Sequence, residues 1–201
     1  GTISDSGNIE VGDLANFTSG ANPITLGDGT TANFGRLDFD GSAVTITENS
    51  PMAIVAGKAT GALVLSANGA ITQTTGIIDA DLTASLSSGA FKITLDSEND
   101  FTGAVSLSNT GTTDVSIKDV NALDLGTVSV GQNLTVTSGG ALTDSGLITV
   151  PGLAKFVATN QNVTLGDTTA ANFGTLDFTG GAVTITEHDS MAIVAGKATG
   201  A

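Results

Sequence analysis

Apolar and polar residues alternate along this chain in short bursts. Ile24-Thr25-Leu26 is followed by Val44-Thr45-Ile46, Leu63-Val64-Leu65 and Ile93-Thr94-Leu95. The series continues as Val115-Ser116-Ile117, Leu134-Thr135-Val136, Val163-Thr164-Leu165 and Val183-Thr184-Ile185. A period of two is the pattern of a β-strand with one buried face. The flanking residues of each triplet are thus placed inward. The central residues Thr25, Thr45, Thr94, Ser116, Thr135, Thr164 and Thr184, with Val64 among them, are expected to form one outward hydroxyl ladder. Shorter alternating segments between the triplets, such as residues 104–107, 153–156 and 175–178, leave room for three short strands per turn of a coil.

The triplets are spaced by 20, 19, 30, 22, 19, 29 and 20 residues. The long step recurs every third step, so a period near 70 runs through the chain. A longer period contains it: residues 1–62 and 140–201 are two copies offset by 139 positions, identical at 39 of 62. Residues 52–62 return unchanged as 191–201. Self-similarity at fixed periods is the signature of an elongated array. Six steps fill the 139-residue unit, about 23 residues each. The expected fold is all-β: a parallel β-helix (β-solenoid) with three short strands and about 20–23 residues per turn. Residues 1–201 read as one continuous segment, with rungs 63–139 between the copies, and as a window of a longer repetitive protein because position 1 falls inside the repeat. The two long steps are expected to carry a bulged loop or an extra strand pair, around residues 71–82 and 142–153. An antiparallel β-sandwich is the competing arrangement. The constant register of the triplets and the scarcity of Asn-Gly and Asp-Gly pairs (28–29, 40–41 and 68–69) favour the solenoid.

Composition supports strands and sharp bends, with 27 Gly, three Pro and many β-branched residues. The absence of cysteine excludes disulfides. The formal charge of −14, with only six Lys and Arg, lacks the basic footprint of nucleic-acid binding and disfavours anionic membranes. No apolar run has the length of a membrane span.

Candidate chemistry is thin. The single histidine lies in Glu187-His188-Asp189, but Asn49 replaces it in the first copy, and it reads as a solvated turn. Arg36 is matched by Thr175 in the second copy. Asp96, Glu98 and Asp100 place three carboxylates at alternate positions, a spacing that makes them candidate calcium ligands. They lack the glycine and distal glutamate of an EF-hand loop. No other cofactor is expected. The rank two residues beyond the hydroxyl ladder mixes Gly27, Thr47 and Asp96, too irregular for an ice-binding face. Asn-x-Thr triplets start at Asn16, Asn133 and Asn162.

Residues 131–150, Gly-Gln-Asn-Leu-Thr-Val-Thr-Ser-Gly-Gly-Ala-Leu-Thr-Asp-Ser-Gly-Leu-Ile-Thr-Val, resemble the repeats of filamentous-haemagglutinin-like bacterial surface exoproteins. The resemblance is one of repeat texture over the whole chain. It implies a right-handed β-helix, secretion to the bacterial cell surface, and an adhesive or fibre-forming role. The expected function is a non-catalytic extracellular rod: a stalk, spacer or filament subunit that associates with itself end to end or laterally. The alternative is direct binding of a surface glycan or receptor by one face. A polysaccharide-degrading enzyme ranks third, since such β-helices carry acids beside Arg or Lys and aromatic residues for sugar stacking, and this chain has no Trp or Tyr.

Overall fold

Each alternating triplet pairs in register with a similar triplet about 20 residues away, and repetition of that contact builds a column. The computed structural model describes residues 1–167 and 169–200, so Thr168 and Ala201 of the second copy lie outside the described residues. The described residues form 21 strands and no helix. All of their strand pairings are parallel. The fold is a parallel β-solenoid of about 10 turns with about 20 residues per turn. One clearly divided turn consists of strands Leu63–Ala67, Ile71–Gln73 and Ile78–Ala80, after which Ala84–Ser87 starts the next. Three strands per turn is therefore the observed geometry. Elsewhere two of them merge as the chain rounds a corner, as in Ala32–Gly41 and Ile148–Val157.

The first side stacks Ile3, Ile24, Val44, Leu63, Ala84 and Val105. The second stacks Met52, Ile71, Ile93, Val115, Leu134, Ala154, Leu176 and Ile193. The third carries Ala59, Ala80 and Phe101 in early turns and Leu123, Leu142, Val163 and Val183 in later ones. Apart from the exposed Ile193, these inward residues belong to or pack against one continuous core, in which Phe39, Phe101 and Phe156 are the largest fully buried side chains. Phe17 meets Phe34 edge-on at 5.3 Å, and their counterparts Phe156 and Phe173 repeat the contact at 5.5 Å. Burial of one such side chain is worth roughly 1.5–3 kcal/mol, so the column is the main source of cohesion.

Two expectations about period need correction. Leu63 does not stack on Ile93; it stacks on Ala84, and Ile93 lies on the second side between Ile71 and Val115. Likewise Leu134 stacks on Ala154, while Val163 lies on the third side between Leu142 and Val183. A long step is thus one whole turn plus one side. Residues 71–82 and 142–153 each hold two strands, as expected, but these are ordinary sides of the parallel coil, with a register shift between Val150 and Leu153 in the second stretch. The 139-residue offset is six turns and two further sides, rather than six turns of 23 residues.

Candidate functional site

Because the triplets occupy three sides, the single hydroxyl ladder expected from the sequence divides into three. Thr25 and Thr45 lie in register with Ser4, Val64, Ser85 and Ser106. Thr94, Ser116 and Thr135 form a second rank with Thr72, which ends in Lys155 and Asp177. Thr164 and Thr184 continue a third from Asp124 and Thr143.

Asp96, Glu98 and Asp100 lie on the strand Ile93–Phe101, with the first two exposed. Alternate residues on a strand stand roughly 7 Å apart, so the three carboxylates are spread along the backbone. Lys118 of the next turn forms an ion pair with Glu98, and Asn121 Nδ2 donates to Asp100 Oδ1. Among the described residues no three His, Cys, Asp or Glu side chains are grouped to hold a metal ion. Glu187, His188 and Asp189 also diverge. His188 N–H donates to the Ala171 carbonyl, and Asp189 accepts from Asn172 Nδ2. Arg36 pairs with Asp13 across one turn at 2.6 Å, both side chains being largely exposed. Asn133 Oδ1 accepts the Leu153 N–H, Asn162 Oδ1 the Ala182 N–H, and Asn16 Nδ2 donates to Asp38 Oδ2, so all three Asn-x-Thr asparagines serve as turn-to-turn staples.

A set of residues that the sequence pattern did not single out is more distinctive. Val44 and Ile46 point inward, and the same alternation carries Glu48 inward, leaving it 1% exposed. Asp119 follows Val115 and Ile117 in the same way and is also 1% exposed; Glu187 follows Val183 and Ile185. Each carboxylate accepts a hydrogen bond from a phenylalanine N–H on the preceding turn. Phe34 donates to Glu48 Oε2 at 3.3 Å, Phe101 to Asp119 Oδ1 at 2.9 Å and Phe173 to Glu187 Oε1 at 2.9 Å. The remaining oxygens, Glu48 Oε1, Asp119 Oδ2 and Glu187 Oε2, are buried without a partner.

The same corners receive a second staple from the other direction. Gly27 N–H donates to Asp5 Oδ1 at 3.0 Å and Gly166 N–H to Asp144 Oδ1 at 2.7 Å. In the middle repeat Ser97 N–H donates to the neutral Gln73 Oε1 at 3.3 Å. Gly27 and Gly166 have φ of 71° and 73°. A Cβ on either would lie 2.0 Å from the carbonyl oxygen of Thr47 or Thr186, so close approach of the next turn requires glycine here.

Burial pushes the Glu48 carboxyl up to about 7, against weaker opposing hydrogen bonds from Phe34 and Ser50. Burial likewise raises Asp119 to about 6, with Asp100 adding repulsion. Asp144 is raised by burial and by the nearby charges of Asp167 and Asp124. Asp5 moves the other way, because the Thr30 hydroxyl donates to its second oxygen. The signal for these acids is present in the sequence as Val-x-Ile-x-Glu or Val-x-Ile-x-Asp at 44–48, 115–119 and 183–187. Following the inward phase two residues past each triplet finds all three.

A coil of similar parallel turns, stapled at recurring corners, defines a β-solenoid repeat protein. The chain belongs to the family described as repeats of unknown function (DUF5649), whose model matches residues 41–108 and 112–176. The two matches begin 71 residues apart, so the family unit coincides with the period near 70. No curated protein and no solved structure matches the chain.

Proposed function

We propose that this chain is a non-catalytic rod segment of a large bacterial surface protein, extracellular, acting as stalk, spacer or filament subunit. The observation that carries this reading is the phase of the repeat. Each 70-residue unit advances three turns and one side, so its corner acids and hydroxyl triplets reappear on a different side each time. A binding or catalytic face built by duplication would return copied residues to one side. Here the copying extends the axis. Polar contacts are used the same way: Arg36–Asp13, Lys58–Asp79, Lys118–Glu98 and Lys155–Asp177 all join neighbouring turns. The repeat texture of residues 131–150 supports a relation to filamentous-haemagglutinin-like surface proteins. Self-association, end to end or laterally, belongs to the proposal.

Electron microscopy of the full polypeptide tests the proposal. Unbranched rods lengthening by roughly 4.8 Å per turn are expected. Compact globular particles, or turnover of a polysaccharide by the purified protein, would overturn it. Sedimentation of the 201-residue chain tests the self-association, and a stable monomer at micromolar concentration would contradict it.

A further inference from the structure

We propose that the buried inward carboxyls at Glu48 and Asp119 are proton-binding sites, and that the solenoid takes up protons there as it folds. Six buried side-chain atoms among the described residues lack a hydrogen-bond partner, and two of them are the second oxygens of these carboxyls. On both side chains the other oxygen caps a phenylalanine N–H of the previous turn. An ionised carboxylate with an unpaired buried oxygen is far more costly than a neutral acid in the same place. A proton on that oxygen removes the charge and leaves the cap intact.

The surrounding charges do not supply an alternative neutralisation. The strand Ala32–Gly41 beneath Glu48 carries Arg36, Asp38 and Asp40, with Arg36 exposed and paired to Asp13. The strand Leu63–Ala67 above Glu48 has no titratable residue. Asp119 lies between the strand Ile93–Phe101, with Asp96, Glu98 and Asp100, and the uncharged strand Leu134–Ser138. Its neighbour Lys118 is directed to Glu98.

The upward displacement of Glu48 and Asp119 agrees with this geometry. The sign follows from linkage. A folded carboxyl raised to about 7 from 4.5 keeps a proton that the unfolded chain releases. Folding is therefore favoured in acid, weakens as pH rises from 4.5 towards 7, and levels off above.

Urea unfolding of the 201-residue chain at pH 5 and pH 8, compared with the Glu48→Gln/Asp119→Asn double variant, tests this. Where the folded carboxyl holds a proton that the unfolded chain has released, the folding constant drops tenfold for each pH unit climbed. The wild-type constant should therefore fall by about a hundredfold or more between those pH values. The double variant should lose most of that dependence, whereas the outward control Asp96→Asn should keep it. Infrared spectra of the folded wild type at pH 6 should also show a protonated-carboxyl band that vanishes above pH 8. Absence of that band, a wild-type constant that does not fall, or an unchanged dependence in the double variant would each overturn the proposal. The band is read on the wild type, so it decides the matter even if the variant fails to fold.

Discussion

Gly27 and Gly166 occupy positions where an added methyl group would meet a backbone oxygen of the next turn, which cannot yield without opening the ladder. Gly27→Ala combines the left-handed penalty with that clash and should cost about 3 kcal/mol. Gly7→Ala, with open space around its Cβ, should change stability by less than about 0.5 kcal/mol. Urea midpoints compare the two, and similar losses would contradict the close-approach argument. Asp5 provides the opposite pH dependence to Glu48. Its folded carboxyl is held below the ordinary 3.8 by the Thr30 hydroxyl, so its stabilisation is present above 3.8 and is lost as pH falls below it. Stability of the chain is thus expected to peak near pH 4, above the range in which the Asp5 contribution is lost and below that in which Asp119 and Glu48 weaken folding. Asp5→Asn should flatten only the acid side of that peak, in thermal or urea unfolding followed across pH 2–8.

At the scale of the element, one sequence in two places separates strand formation from burial. Residues 52–62 and 191–201 are identical, yet Met52 and Ile54 are fully buried while Met191 and Ile193 are 39% and 55% exposed. The alternation that makes the strand is present in both; what differs is the turn lying over it. Met52 is covered by Ile71 of the next turn, whereas among the described residues Ile193 is paired with Leu176 alone. In the 201-residue polypeptide Met52→Ala should therefore cost about 2–5 kcal/mol and Met191→Ala under about 1 kcal/mol, measured by equilibrium unfolding. Equal effects would mean that the strand, not its cover, sets the energy. The same comparison explains what was legible in the sequence. Alternation located the inward residues correctly at every triplet, from Ile24 to Ile185, and pointed to the parallel solenoid. It could not say which side a triplet occupies, because Ile, Leu and Val fill the inward positions on all three. The true partners of Leu63 and Leu134 begin with Ala84 and Ala154, residues too small to stand out as strand formers, so the eye passes to the next bulky triplet one side further on. Glu48 and Asp119 were hidden for a different reason: their inward phase is plain, but charge argues for an outward position.

For the whole molecule, the 70-residue unit and the turn are out of step by one third. Three units make ten turns, roughly 48 Å of axis, before a copied residue returns to its original side. Stability in such an array is close to a sum of turn and interface contributions, so the natural unit of deletion is the turn rather than the sequence repeat. Removal of residues 63–83 joins Ala62 to Ala84, which already belongs to the column of Val44 and Leu63. Every downstream residue then keeps its side, and the main loss is the leucine replaced by alanine above Val44, about 2–5 kcal/mol. Removal of residues 71–80 deletes two sides of one turn and leaves the third, so Leu63–Ala67 must be followed at once by a corner leading to Ala84. The inward columns fall out of register, and a one-residue slip alone exchanges buried and exposed faces. Circular dichroism and urea unfolding of the two deletions should show a folded chain, shorter by one turn, for 63–83 and a largely unfolded or aggregated one for 71–80. The reverse order would mean that turns are not the cooperative unit, and that the ladder pairings do not organise this chain.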